Sequence, residues 1–70
     1  MSKMKVGDLV NIKFAGRRIG KNIGIVVAVY YNKSQYTGKY SHFCDVKFSN
    51  DQPPIYFLQK NLHVCSQASN

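Results

Sequence analysis

Apolar and polar residues alternate with a period of two in much of this sequence, and that alternation limits what the chain can fold into. In Leu9 to Phe14, Val10 and Ile12 flank polar Asn11, and His42 to Phe48 repeats the pattern. Such alternation is typical of a half-buried β-strand. No segment has the 3.6-residue periodicity of an amphipathic helix. The sequence therefore predicts an all-β protein.

Three further segments are predicted to be strands. Ile23 to Tyr31 is almost entirely apolar and rich in β-branched residues, so we expect a long central strand with both faces partly covered. Ile55 to Leu58 predicts a short fourth strand, and Leu62 to Val64 a fifth. A single helical turn is expected at Leu58 to Asn61. In the central strand, alternation places two sets of side chains on opposite faces: Ile25, Val27 and Val29 on one, and Val26, Ala28 and Tyr30 on the other.

The connecting segments contain turn-forming residues. Ala15 to Asn22 contains glycines and basic residues and predicts an exposed loop rather than a strand. Asn32 to Ser41 contains Thr37-Gly38 and predicts a hairpin loop. Ser49 to Pro54 ends in two prolines, which fix two φ angles and remove two backbone donors, so it predicts a turn.

With 70 residues the chain is long enough for one small domain. Five short strands with a 3-10 turn before the last strand predict a small closed or nearly closed β-barrel over residues 6–65. Residues 1–5 and 66–70 are expected to be tails, the latter polar and frayed.

The formal net charge is +7, from ten Lys and Arg against three Asp. Such a balance favours a polyanionic partner, nucleic acid first, then an anionic membrane surface or an acidic protein. The alternative is that the charge serves only solubility. Basic side chains beside exposed aromatic rings suit nucleic acid, because they can neutralise phosphates while the rings stack on bases. The candidate nucleic-acid-binding residues are Arg17, Arg18, Lys21, Lys33, Lys39, Tyr30, Tyr36 and Tyr40.

Residues 6 to 30 also resemble the KOW motif of SH3-like barrels found in transcription elongation factors and ribosomal proteins. The segment reads Val6-Gly7-Asp8-Leu9-Val10, followed by Gly16, Gly20, Gly24 and Val26. Proteins of this size with a Gly-Asp strand entry are also similar to small barrels encoded by bacteriophages. The resemblance implies a five-stranded SH3-like barrel. The positive charge and the tyrosines, rather than the resemblance, predict that it binds RNA or DNA with little sequence specificity.

A second class of function stays open, that of a protein-interaction module, such as a phage-encoded factor that binds a host protein or a virion component. Tyr30, Tyr36, Tyr40 and Tyr56 are candidates to line its groove. A Tudor-type aromatic cage for a methylated cation ranks behind both, because the basic surface would repel that ligand.

Catalysis and metal binding have little support in the sequence. There is no Glu, and Asp45 is expected to pair with a neighbouring Lys. A zinc site would need His42, Cys44, His63 and Cys65 to converge. We therefore expect no enzyme, no metal and no cofactor, with both cysteines as free thiols. The longest apolar run is too short to span a membrane and the N-terminus lacks a secretory signal, so a cytoplasmic location is expected.

Overall fold

The computed structural model describes residues 4–14, 17–18 and 23–68. In these residues the protein is all-β, as predicted, with one 3-10 turn and antiparallel strand pairs throughout. The elements in chain order are β1 (Leu9–Phe14), β2 (Arg17–Arg18), β3 (Gly24–Lys33), β4 (Tyr40–Lys47), β5 (Ile55–Leu58), the 3-10 turn (Gln59–Asn61) and β6 (Leu62–Ser66). None of the described residues belongs to a helix long and apolar enough to cross a membrane.

The strands form one sheet in the order β2-β1-β3-β4-β5, and β6 also pairs with β1, over Leu9 to Ile12. The 3-10 turn carries the chain from β5 to β6. No ladder joins β5 to β6 in the described part of the chain, so the sheet is not closed into a barrel by hydrogen bonds. The five predicted strands and the turn before the last one are confirmed.

β3 and β4 extend into the predicted Asn32 to Ser41 loop, and two other features also differ from the sequence prediction. Arg17 and Arg18, expected in a loop, form a short strand that pairs with Phe14 and Lys13. The other difference is a bulge in β3 between Val26 and Ala28, where the register with β4 shifts. A bulge adds one residue to one strand and reverses the alternation of faces beyond it, which simple alternation along the sequence could not reveal.

The core lies on one face of the sheet. Its fully or nearly fully buried residues come from four strands, and they are Val10, Val26, Cys44, Val46 and Leu62. Gly24 lies against this cluster, and a Cβ there would collide with Val46 and come within 2.8 Å of the Phe48 ring. The absence of a side chain at Gly24 thus lets β3 pack closely against Val46 and Phe48.

Asp8 joins the two ends of the described chain to the core. Its side chain is 1% exposed and accepts hydrogen bonds from the backbone N–H groups of Lys5 (2.9 Å) and Ala68 (2.7 Å). Its own carbonyl accepts the N–H of Val26 at 2.9 Å. Residues on both sides of the predicted 6–65 domain are therefore attached to it, with Met4 packed on the core and Ala68 bound by Asp8.

Candidate functional site

The distal half of the β3–β4 hairpin presents four polar or aromatic side chains on one face. Tyr31 lies opposite His42, and Lys33 lies opposite Tyr40. Directly opposed residues of an antiparallel pair share a face, as do residues two apart on one strand. We call this set, Tyr31, Lys33, Tyr40 and His42, the tyrosine face. Two aromatic rings and one imidazole are thereby held side by side, with Lys33 next to them in the strand pair.

The rings of the tyrosine face contact one another and remain open to solvent. The centroids of Tyr31 and Tyr40 are 5.5 Å apart with the planes inclined by 26°, and the rings of Tyr31 and His42 lie 4.7 Å apart. Tyr31 is 61% exposed and Tyr40 is 62% exposed. Offset ring contacts of this kind orient the side chains without burying them. The result is an exposed stacking platform.

A groove of about 560 Å³ borders the tyrosine face. Tyr40 and His42 line one part of it, and Lys13 from β1 and Lys60 from the 3-10 turn line another. The 3-10 turn reaches this position because the side-chain amide of Gln59 donates a hydrogen bond of 3.0 Å to the carbonyl of Phe43. The groove thus combines aromatic surface with two ammonium groups from distant parts of the sequence.

All three carboxylates of the chain lie outside this groove. Asp8 is buried and hydrogen-bonded, and Asp51 lies in the turn that precedes β5. Asp45 lies on the other face of the hairpin, where its Oδ2 accepts the hydroxyl of Tyr30 at 2.6 Å. With ammonium groups inside and no carboxylate in its lining, the groove has a positive electrostatic character.

The opposite face of the hairpin carries a second aromatic group, which we call the outer cluster: Tyr30, Phe43 and Tyr56. The Phe43 and Tyr56 rings are stacked, with centroids 4.9 Å apart and planes within 10°. The hydrogen bond to Asp45, followed by desolvation, raises the pKa of Tyr30 above its usual value. Asp45 therefore holds a tyrosine in place, and among the described residues it forms no ion pair with the lysine that the sequence had predicted as its partner.

The loop at the hairpin tip is ordered by its own hydrogen bonds. The Ser34 N–H donates to the carbonyl of Lys39 (2.8 Å), and the N–H of Gly38 donates to the carbonyl of Ser34 (2.9 Å). Gly38 has φ of 73°, a left-handed conformation that glycine adopts without strain. The Ser34 hydroxyl also accepts the N–H of Tyr36 at 3.2 Å, and the Tyr36 side chain is 98% exposed.

The structure brings together some of the predicted binding residues and separates others. Lys33 and Tyr40 share the tyrosine face, with Lys39 and Tyr36 exposed in the adjoining tip loop. Tyr30 does not join them, because the bulge in β3 places it opposite Phe43 on the other face.

The predicted basic loop is only partly within the described chain. The backbone of Arg18 pairs with Lys13, one of the groove residues, which brings β2 next to the groove. The side chains of Arg17 and Arg18, and the whole of Lys21, lie outside the described part of the structure.

The predicted set of binding residues lacks three residues of the groove, Lys13, His42 and Lys60, and also Tyr31 of the tyrosine face. The β3–β4 register places Tyr31 and His42 on the same face as Tyr40, because along each strand they alternate with residues of the other face. For Lys13 and Lys60 the sequence has no equivalent signal, because they meet only when β1 and the 3-10 turn pack side by side.

The two cysteines lie in different environments. Cys44 is buried in the core, and desolvation, helped by the nearby charge of Asp45, raises the pKa of its thiol to about 11. Cys65 is exposed, with its Sγ 2.6 Å from Oδ1 of Asn11. Neither is in a disulfide. Within the described ranges no three His, Cys, Asp or Glu side chains are grouped as metal ligands.

Comparison with protein-family models, with curated proteins and with solved structures found no match.

Proposed function

We propose that this protein binds nucleic acid through the tyrosine face and the groove beside it. The observation that carries the proposal is the pairing of an exposed Tyr31–Tyr40 platform with the Lys13 and Lys60 ammonium groups in a groove without a carboxylate. Aromatic rings stack on bases of any sequence, and lysines neutralise phosphates. The interaction therefore has little sequence specificity.

Phosphate contacts come from several elements in this proposal. Lys13 and Lys60 line the groove, Lys33 lies opposite the groove residue Tyr40, and Lys39 extends the positive surface into the tip loop. Arg17 and Arg18 belong to the strand paired with β1 and are proposed to add contacts at the same side. Each neutralised phosphate releases counterions, so affinity falls with salt concentration.

The test is a fluorescence-anisotropy titration with labelled single-stranded RNA, single-stranded DNA and duplex DNA at several salt concentrations. We expect the log–log slope of affinity against salt to be about −0.7 per phosphate contact on single strands and about −0.9 on duplex. Lys60→Ala is expected to weaken binding and make the slope shallower by about one contact, that is by roughly 0.7 to 0.9. The double variant Arg17→Ala/Arg18→Ala tests the contribution of β2 by the same salt-dependent titration.

Lys47→Ala is the matched control, because it removes the same charge at another place. Lys47 lies opposite Ile25, seven residues along β4 from Tyr40, or about 23 Å at 3.3 Å per residue. Lys47→Ala is expected to leave the slope of affinity against salt unchanged. Absence of binding to every oligonucleotide at low salt, or equal losses in Lys60→Ala and Lys47→Ala, would contradict a site at this groove.

One observation favours a protein-interaction module as the second candidate. Among the described residues β5 pairs only with β4, and Ile55 and Tyr56 on it are exposed. An open strand edge can accept an extended peptide as an additional strand. Capture of one defined protein from nuclease-treated lysate, lost on Ile55→Pro, would support this candidate.

A further inference from the structure

The outer face of the hairpin carries a second groove, of about 570 Å³, that shares Lys33 with the proposed site. Tyr56 and Phe43 form its aromatic wall, and Asn32, Gln35 and Lys33 contribute polar groups. Tyr56 is 53% exposed although its ring stacks on Phe43, so it retains surface for another planar group. Two aromatic platforms thus lie on opposite faces of a single hairpin.

Resting on the nucleic-acid function proposed above, we infer that the ligand is a single strand that crosses the hairpin tip from the tyrosine face to this outer groove. Stacking on tyrosine requires a base whose face is free, and the bases of a duplex already stack on one another. A duplex is also stiff, with a persistence length of about 150 base pairs, so it cannot turn around one hairpin. A flexible single strand satisfies both conditions.

The tip provides the groups that this path requires. Tyr36 is almost fully exposed between the two faces and borders the outer groove. Lys33 also lines the outer groove, and its cross-strand partner is Tyr40 of the tyrosine face. A phosphate at Lys33 would therefore lie where the strand changes face, with bases directed to Tyr40 on one side and to Tyr56 on the other.

Charge and hydrogen-bonding groups determine what occupies the outer groove. Asp45 lies opposite Tyr56 on β5, on the side away from the tip, and does not line the groove. Its carboxylate repels phosphate, so a base rather than a phosphate is favoured next to Tyr56. The amides of Asn32 and Gln35 each carry donors and an acceptor that match the edge of an unpaired base.

The test compares the affinities for a single-stranded oligonucleotide and for a duplex of the same sequence. A length of about 12 nucleotides is suitable, because small single-strand-binding modules cover about 4 to 16 nucleotides. We expect the single strand to bind at least about 10-fold more tightly than the duplex, because two or more of its bases stack on tyrosine rings of the protein. Tyr40→Ala and Tyr56→Ala are each expected to weaken binding of the same oligonucleotide by about 5-fold or more. Tyr56→Phe keeps the ring and is expected to retain the affinity.

Tyr56 covers Phe43, so Tyr56→Ala also exposes that ring. A second measurement therefore uses the protein without a substitution. Photo-cross-linking of the wild-type protein to an oligonucleotide that contains 4-thiouridine is expected to label Tyr56 or Gln35 as well as the tyrosine face. Cross-links confined to the tyrosine face, or duplex affinity equal to that of the single strand, would overturn the single-strand path and leave the proposed function standing. Failure of all oligonucleotides to bind would remove both.

Discussion

Replacing Asp8 by alanine is expected to destabilise the fold strongly. The carboxylate is buried and accepts two backbone N–H groups, from Lys5 and Ala68, which connect the two ends of the chain. A hydrogen bond to a charged group contributes about 1.5–3 kcal/mol. Since both donor residues are partly exposed and water can replace part of the lost bonding, we expect Asp8→Ala to lower the free energy of unfolding by about 2–4 kcal/mol.

That loss is large beside the total stability of a small domain, which is about 0.05–0.15 kcal/mol per residue. Urea denaturation followed by far-UV circular dichroism measures it, and with an m-value of about 1 kcal/mol/M the midpoint is expected to fall by about 2 M or more. Asp8→Asn keeps one acceptor oxygen and is expected to lower the free energy of unfolding by about half as much as Asp8→Ala. The amide proton of Ala68 is expected to exchange faster with solvent in both variants.

Asp51→Ala is the control, since it removes another turn carboxylate from an exposed position. Substitutions at such sites change stability by about 0.5 kcal/mol or less. If Asp8→Ala and Asp51→Ala shifted the midpoint equally, the two hydrogen bonds of Asp8 would not stabilise the fold and the reasoning would be refuted.

Three further perturbations follow from the packing and the charges. Ellman's reagent is expected to modify one thiol in the native protein, Cys65, and two in denaturant, because Cys44 is buried with its pKa raised to about 11; two reactive thiols in the native state would contradict the buried position. Gly24→Ala is expected to destabilise by about 1–3 kcal/mol in urea denaturation, because the new Cβ collides with the core beside Phe48; unchanged stability would contradict the close approach. Asp45→Asn removes the carboxylate beside the outer groove and is expected to tighten single-strand binding in the anisotropy titration; weaker binding would show that the charge does not oppose the ligand.

Local pattern was sufficient for most of the strands. The alternation in Leu9–Phe14 and the apolar segment Ile55–Leu58 predicted β1 and β5 with the bounds that the structure has. β3 and β4 extend further into the hairpin than predicted, to Lys33 and from Tyr40. Polar residues such as these carry no hydrophobic pattern, and their strand conformation comes from pairing across the hairpin.

The candidate site was only partly predictable. Lys33 and Tyr40 were assigned to it from composition alone, and the β3–β4 register places them opposite each other. Tyr30, predicted as a binding residue together with them, lies on the other face of the hairpin, because one extra residue in β3 reverses the alternation beyond it.

The sequence by itself determined an all-β chain, its turns and an excess of positive charge, because side-chain alternation and composition are local properties. Tertiary structure alone decided which residues meet. The β3 bulge distributes the tyrosines over two faces, and the packing of the 3-10 turn near β1 brings Lys60 and Lys13 to one groove. These contacts depend on strand register and on packing between distant segments, and a pattern of neighbouring residues determines neither.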